Sequence, residues 1–253
     1  MLLVLAVTRR RLTWPMVKAS FLGGVIFGFN VTLFFLAIKN TSVAEVLIIQ
    51  ALQPALILMV ASPLFGERVS RYDVLWTMVS VCGVAVVALG SSSTPVWSLR
   101  GDMFAVGSLF CWAAYFPISK HARRSVPAIQ YMTTVTLTAA LVSTPLALLS
   151  GERLGIVRWQ DWAWLGAFLV AAQGGHVLVA WAHSQVDVSI SSLLILAQPI
   201  IAAIAAVIFL DEPLPALAIA GGLVVVASVA AIVKHATAAG GGEEMGMAET
   251  PPA

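Results

Sequence analysis

Apolar residues run along this chain in long blocks separated by short polar punctuation. The blocks cover Val17–Ile38, Val43–Phe65, Val74–Leu89, Gly101–Lys120, Ile129–Leu149, Trp159–His183, Val188–Leu210 and Leu214–Val233. The breaks are Lys39-Asn40-Thr41, Gly66-Glu67-Arg68, Ser91–Pro95, Arg123–Pro127, Gly151-Glu152-Arg153, Ser184–Asp187 and Asp211–Pro215. Crossing about 30 Å of hydrocarbon takes roughly 20 residues of helix. The blocks lack the two-residue alternation of barrel strands, so they predict helices. Eight complete membrane spans are expected, making an all-α, polytopic helical bundle.

Composition points the same way. Of the 253 residues, 60% are hydrophobic and 10% charged, against about 45–50% and 25% in soluble domains. The net charge of +2 and the lack of a basic stripe exclude nucleic acid as a partner. Cys82 and Cys111 lie inside apolar runs with no CxxC or Cys/His spacing; this supports neither a disulfide framework nor a metal site, and small packing residues are expected. No cofactor is implied.

Arginine and lysine divide unevenly between the two sets of loops. Arg9, Arg10, Arg11, Lys18, Arg68, Arg71, Lys120, Arg123, Arg124 and Lys234 fall on one side, and only Lys39, Arg100, Arg153 and Arg158 on the other. The expected placement is a cell inner (plasma) membrane with both termini cytoplasmic. Residues 235–253 lack a periodic apolar face and are expected to form a disordered cytoplasmic tail.

The chain repeats itself. Gln53-Pro54 recurs as Gln198-Pro199, and at the same offset Glu67 meets Glu212, Trp14 meets Trp159 and Val43 meets Val188. The second unit, 101–234, holds five expected spans. An odd number makes successive units enter the membrane in opposite directions, the inverted repeat of many secondary transporters. The first unit, 1–90, holds three complete spans. Met1 aligns with Leu146, so counterparts of Gly101–Pro145 are expected to be missing, and Met1–Val7 reads as the last turns of a truncated span. It is not a signal peptide, because its arginines follow the apolar stretch. A start codon set too far downstream is favoured over a natural deletion.

These residues carry a family resemblance. The stretches are Leu33 to Glu45, Gln53-Pro54 leading to Leu64–Arg68, Gly101-Asp102 through Cys111–Tyr115 to Ser119-Lys120, and Ala197-Gln198-Pro199 leading to Asp211-Glu212-Pro213. In order and in duplicate, they resemble the EamA family of the drug/metabolite transporter superfamily. The resemblance implies ten spans in two inverted five-span repeats. It further implies alternating-access export or exchange of small organic solutes such as metabolites, amino acids or drugs, through a central cavity. A lipid bilayer and a small-molecule substrate are the implied partners, with a proton or counter-solute for coupling and a homodimer through the last span as further ones. A membrane-embedded enzyme would need a nucleophile–base pair or clustered acids at one level, which the scattered histidines and acids do not supply.

Candidate cavity residues follow from polar groups at membrane depth. Gln173, His176 and His183 share a helix face. His176 could take part in proton coupling or hold the bundle through an interhelical hydrogen bond. Trp112 and Tyr115 could line a cavity for apolar or cationic solutes, or pack in the bundle. Asn30 is a further cavity candidate. Glu45 could bind a proton or cation, or sit at a helix start where the dipole favours an acid. Gln53-Pro54 and Gln198-Pro199 are expected to kink their helices and shape a gate. Gly24, Gly28, Gly221 and Gly222 are expected at close helix contacts.

Overall fold

A computed structural model of the chain describes residues 9–65, 70–91, 98–151, 158–186 and 215–248, together with Leu5, Ile195 and Ile201. The described elements are helical. We number them α1 (Trp14–Asn40), α2 (Val43–Gln50), α3 (Gln53–Phe65), α4 (Arg71–Ser91), α5 (Leu99–Arg123), α6 (Ala128–Leu149), α7 (Trp162–Ala182, preceded by a 3₁₀ turn over Trp159–Asp161) and α8 (Ala216–Ala248).

Local chemistry sets the ends. Pro15 occupies the first turn of α1, where its missing N–H costs nothing. Ser98 caps α5 through the Gly101 N–H, Asp102 sits in the first turn, and Lys120, His121 and Arg123 fill the last; each charge complements the helix dipole. Ser70 and Asp73 form a reciprocal capping pair at the start of α4.

The block expected as one span at Val43–Phe65 is instead two helices, broken at Ala51-Leu52. Proline explains the position. Pro54 has no N–H for the carbonyl of Gln50, and its ring crowds that carbonyl. The Leu52 N–H turns back to Ile49 O, a tighter 3₁₀-type bond, and Leu56 N–H restarts the α pattern on Leu52 O. Of the eight expected spans, four are long and apolar enough to cross a membrane among the described residues: Trp14–Asn40, Leu99–Arg123, Ala128–Leu149 and Trp159–Ala182. The expected span at 188–210, with Gln198 and Pro199, lies outside the described residues apart from Ile195 and Ile201. At the other end of the chain α8 continues to Ala248, across much of the expected tail; Ala, Glu and Met, good helix formers, supply part of that stretch.

Two compact units form, and both draw on both repeats. One comprises 1–41 with 98–191, the other 42–97 with 192–253. In the first, α1 packs on α5 and α6, and α7 on α5 and α6. Asn30 meets Ser108 while the backbone of Asn40-Thr41 meets Gly101, so α1 and α5 are antiparallel. Trp112 meets His176 and Ser119 meets His183, so α5 and α7 run the same way. Helix α1 therefore opposes α7, its partner at the repeat offset, as inverted repeats require.

In the second unit α4 lies on α8, also repeat partners and also antiparallel: Gly90 faces Ala218, Gly83 faces Val225, and Asp73 reaches His235. Applying the repeat offset turns the Gly90–Ala218 contact into the Asp73–His235 contact, so a local pseudo-twofold axis passes through the crossing. Gly83 and Ser228, repeat equivalents near that axis, are both buried.

The interior mixes small hydroxyl residues with a few buried aromatics such as Tyr115, Phe116 and Tyr131, and the outside is large and apolar. Ser20, Ser80, Ser108, Ser119, Thr133 and Ser228 have no exposed surface, while Phe21, Leu141, Phe168, Val170 and Leu223 are exposed. This inverts the soluble pattern and suits a lipid surround. Three interior hydroxyls are satisfied on their own helices: Ser20 donates to Met16 O at 2.8 Å, Thr133 to Ile129 O at 2.7 Å and Ser228 to Val224 O at 2.7 Å. Glycines then let backbones close in. A Cβ on Gly24 would lie 2.5 Å from Thr138 Cβ, and one on Gly28 would lie 3.0 Å from Ala139 Cα.

Gly221 is the most constrained of the expected contact glycines. A Cβ there would sit 2.7 Å from both Gly83 O and Val87 N, whereas nothing lies within 4 Å of one on Gly166. Gly221→Ala is expected to lower stability by about 1–3 kcal/mol, and Gly166→Ala to leave it unchanged or raised. Thermal unfolding in detergent micelles measures both; equal stabilities would contradict backbone contact between α4 and α8.

Candidate functional site

The first unit gathers most of the residues singled out in the sequence. On α1, Phe27 points at α5 and α7 because Asn30, one turn on, is tied to α5: its Nδ2 donates to Ser108 O and Ser108 Oγ, both at 3.0 Å. The Phe27 ring centre lies 5.3 Å from Tyr115, 6.1 Å from Trp112 and 5.0 Å, edge-on, from His176. Trp112 and Tyr115 stack at 5.3 Å with planes only 2° apart, and Trp112 meets His176 edge-on at 6.2 Å. Three helices thus present one aromatic–imidazole layer.

Hydrogen bonds fix the orientation of the layer. His176 Nδ1 lies 2.7 Å from Ala172 O. A carbonyl only accepts, so Nδ1 carries the proton and Nε2 is the acceptor of the neutral ring. Gln173, one turn earlier, accepts from Thr136 of α6 at 3.1 Å, which leaves its amide NH2 as a donor. Tyr115 is buried, its hydroxyl donating to Met132 Sδ at 3.5 Å. It packs the floor of the layer, while Trp112, Gln173 and His176 are half-exposed. A groove of about 390 Å³ lies elsewhere in this unit, between α1 and α6, lined by Val31, Thr32, Phe35, Ser143 and Thr144 among others.

Residues not singled out as cavity candidates form a second layer along the same helices. Ser119 and His183 follow Trp112 and His176 by seven residues each, about two turns. His183 Nδ1 lies 2.8 Å from Ser119 Oγ, and Phe116 contacts the imidazole at 4.6 Å. Arg123, buried, donates from Nε to Ala180 O at 2.7 Å, from Nη2 to Ser184 Oγ at 3.0 Å, and from Nη1 to Val126 O. The Ser184 N–H bonds Trp181 O instead of continuing the helix to Ala180 O, so Arg123 takes up the carbonyl that the helix end leaves. In the sequence Arg123 reads as a loop charge; the cue to its role is that it follows Ser119 by one helical turn. Phe27 and Ser108 carry no such cue, being ordinary residues of apolar spans.

Glu45 belongs to the other unit. With Ser42 it forms a capping box at the start of α2, Glu45 N–H to Ser42 Oγ at 3.2 Å and Ser42 N–H to the carboxylate at 3.4 Å, which is the helix-start role. Gln53 is buried at the head of α3 beside Pro54.

Helices joined through glycine and hydroxyl contacts, apolar outside and lined within by an aromatic–imidazole layer, define a polytopic helical membrane protein built on an inverted repeat. A model of the EamA-like transporter family matches residues 1–89 and 99–234, and the chain belongs to that family. It is therefore a membrane transporter of the drug/metabolite type, set in a lipid bilayer and acting on small molecules; members of the family are transporters, not enzymes. One solved structure, described only as "crystal structure of protein", superimposes with a TM-score of 0.75 at 21% identity, over 91% of this chain and 81% of its own. That likeness shows the fold alone. No curated protein sequence matches.

The Asn30–Ser108 pair is a direct test of how the layer is held. A double-mutant cycle of Asn30→Ala and Ser108→Ala, read by unfolding in micelles, is expected to give a coupling of about 0.6–1.7 kcal/mol. Strictly additive effects would mean that the pair does not position Phe27.

Proposed function

We propose that the chain is a secondary transporter that exports or exchanges small organic solutes by alternating access, with its solute site at the layer formed by Trp112, His176, Gln173 and Asn30. The observation that carries this is the layer itself: the half-exposed Trp112 ring, backed by buried Phe27 and Tyr115, beside an imidazole acceptor and an amide donor, inside a bundle whose outer surface is apolar. Flat rings accept apolar or cationic parts of a solute, while His176 Nε2 and the Gln173 amide fix its polar groups. The inverted pairing of α1 with α7 gives the two-sided framework that alternating access uses. The bias of lysine and arginine supports a plasma-membrane placement with both termini cytoplasmic. The Pro54 break and its repeat mate Pro199 are proposed as the places where helices flex.

The test is flux of a panel of amino acids, metabolites and amphipathic cations in proteoliposomes made with the full chain. Trp112→Ala and His176→Gln are each expected to lower flux of the transported solute by about tenfold, the equivalent of about 1.4 kcal/mol, without lowering the unfolding temperature enough to account for it. Undiminished flux in both variants would remove the site; absence of flux for the whole panel would remove the transport reading.

A further inference from the structure

The lower layer of the first unit has a chemistry that the aromatic layer does not need. His183, the residue that follows the last turn of α7, has no exposed surface. Its Nδ1 is partnered by Ser119, but its Nε2 meets no hydrogen-bonding atom among the described residues. The ionisable groups that face it are Tyr115, Lys120 and Arg123 from α5 and, beyond Tyr115, Tyr131 from α6. Two of these are cations and no carboxylate is among them.

A neutral imidazole suits this environment, because Ser119 can donate to or accept from Nδ1. An imidazolium does not suit it. Its Nε2–H would be a charged donor buried with no acceptor among the described residues, next to two like charges and away from water. The same short segment carries the contacts that close this end of the unit: Arg123 of α5 holds Ala180 O and Ser184 Oγ at the end of α7.

We propose that His183 is a proton-binding site that controls this latch: the imidazole is neutral while the ends of α5 and α7 are joined, and proton uptake separates them. A proton that binds the parted state better than the joined one shifts the population towards the parted state. The use of that proton as the coupling ion rests on the transporter reading; the site does not.

The experiment places spin labels on cysteines at Ser125 and Gln185, in the loop after α5 and the turn after α7, in the full chain with Cys82 and Cys111 replaced by Ala, reconstituted in lipid nanodiscs. The distance between labels is followed by pulsed electron resonance from about pH 8 to about pH 5, the range in which an exposed imidazole titrates. A longer-distance population is expected to grow as pH falls, in one transition. His183→Gln, which keeps a partner for Ser119 but cannot titrate, is expected to abolish the transition. Lys120→Glu, which sets a carboxylate in place of one opposing cation and lets the joined state hold the proton, is expected to move the midpoint to lower pH or shrink the transition. A distance that does not change with pH overturns the proposal, as does a transition that persists in His183→Gln, which would assign it to His121, His176 or His235. Should His183→Gln fail to fold, Lys120→Glu decides: a transition of unchanged size with an unmoved or raised midpoint overturns the proposal. Titration of the latch in a protein that carries no solute would keep the proton site while removing the transporter reading, and flux without titration would do the reverse.

Discussion

Helices in lipid have no hydrophobic reason to meet, because the acyl chains around them are as apolar as their own leucines. What joins them here is close backbone approach at small residues, together with hydrogen bonds that have nowhere else to go. Gly24 and Gly28 bring α1 onto α6, and Gly83, Gly90 and Gly221 bring α4 onto α8. Everything else in each unit depends on those approaches. Phe27 can reach Trp112 and His176 only because α1 lies flat against its neighbours one turn on either side. Ser20, Thr133 and Ser228 bond their own helices and fill space at the contacts, while Ser108, Ser119 and Thr136 bond across them.

The functional layers stand on that packing. Helices α5 and α7 run in the same direction and keep register over two turns, which places Trp112 opposite His176 and Ser119 opposite His183. One layer is broad, aromatic and half-open. The next is narrow, polar and sealed by Arg123. Pro117, between the two on α5, removes the donor that would have reached Ala113 O, so the helix carrying both layers has a built-in place to bend. The proposed solute contact and the proposed closure thereby lie at different levels of the same pair of helices.

Much of this was legible in the sequence, and the limits have physical causes. The apolar blocks gave α1, α5, α6 and α7 nearly to the residue, because a span must be long and continuous to cross hydrocarbon. The repeat was visible through Gln-Pro and Glu, which are uncommon at such depth. Trp112, Tyr115, Gln173, His176 and Asn30 were found by polarity or aromaticity at depth and do fall together in one unit. Glu45 was selected on the same grounds and lies in the other unit, where Ser42 three residues earlier makes it a capping residue. The kink at Gln53-Pro54 was expected from the missing N–H, but hydropathy, which stays apolar across Ala51-Leu52, does not sense that the block parts there into two helices. Arg123 was hidden by the same blindness: charge counting treats every arginine near a span end as a loop residue, and only packing shows that this one turns inward to a helix carbonyl.

The crossing of α4 and α8 is an isologous interface made inside a single chain. In a true homodimer, symmetry would force both ends of such an interface to carry the same residues. Fusion of the two copies lifts that obligation. Here one end has become a contact between Gly90 and Ala218, and the equivalent end holds Asp73 and His235, with the Tyr72 ring tilted against that of His235 at 4.7 Å. The seam is therefore polarised along its length: one end is held by shape alone, while the other is held by a specific contact between an imidazole and a carboxylate.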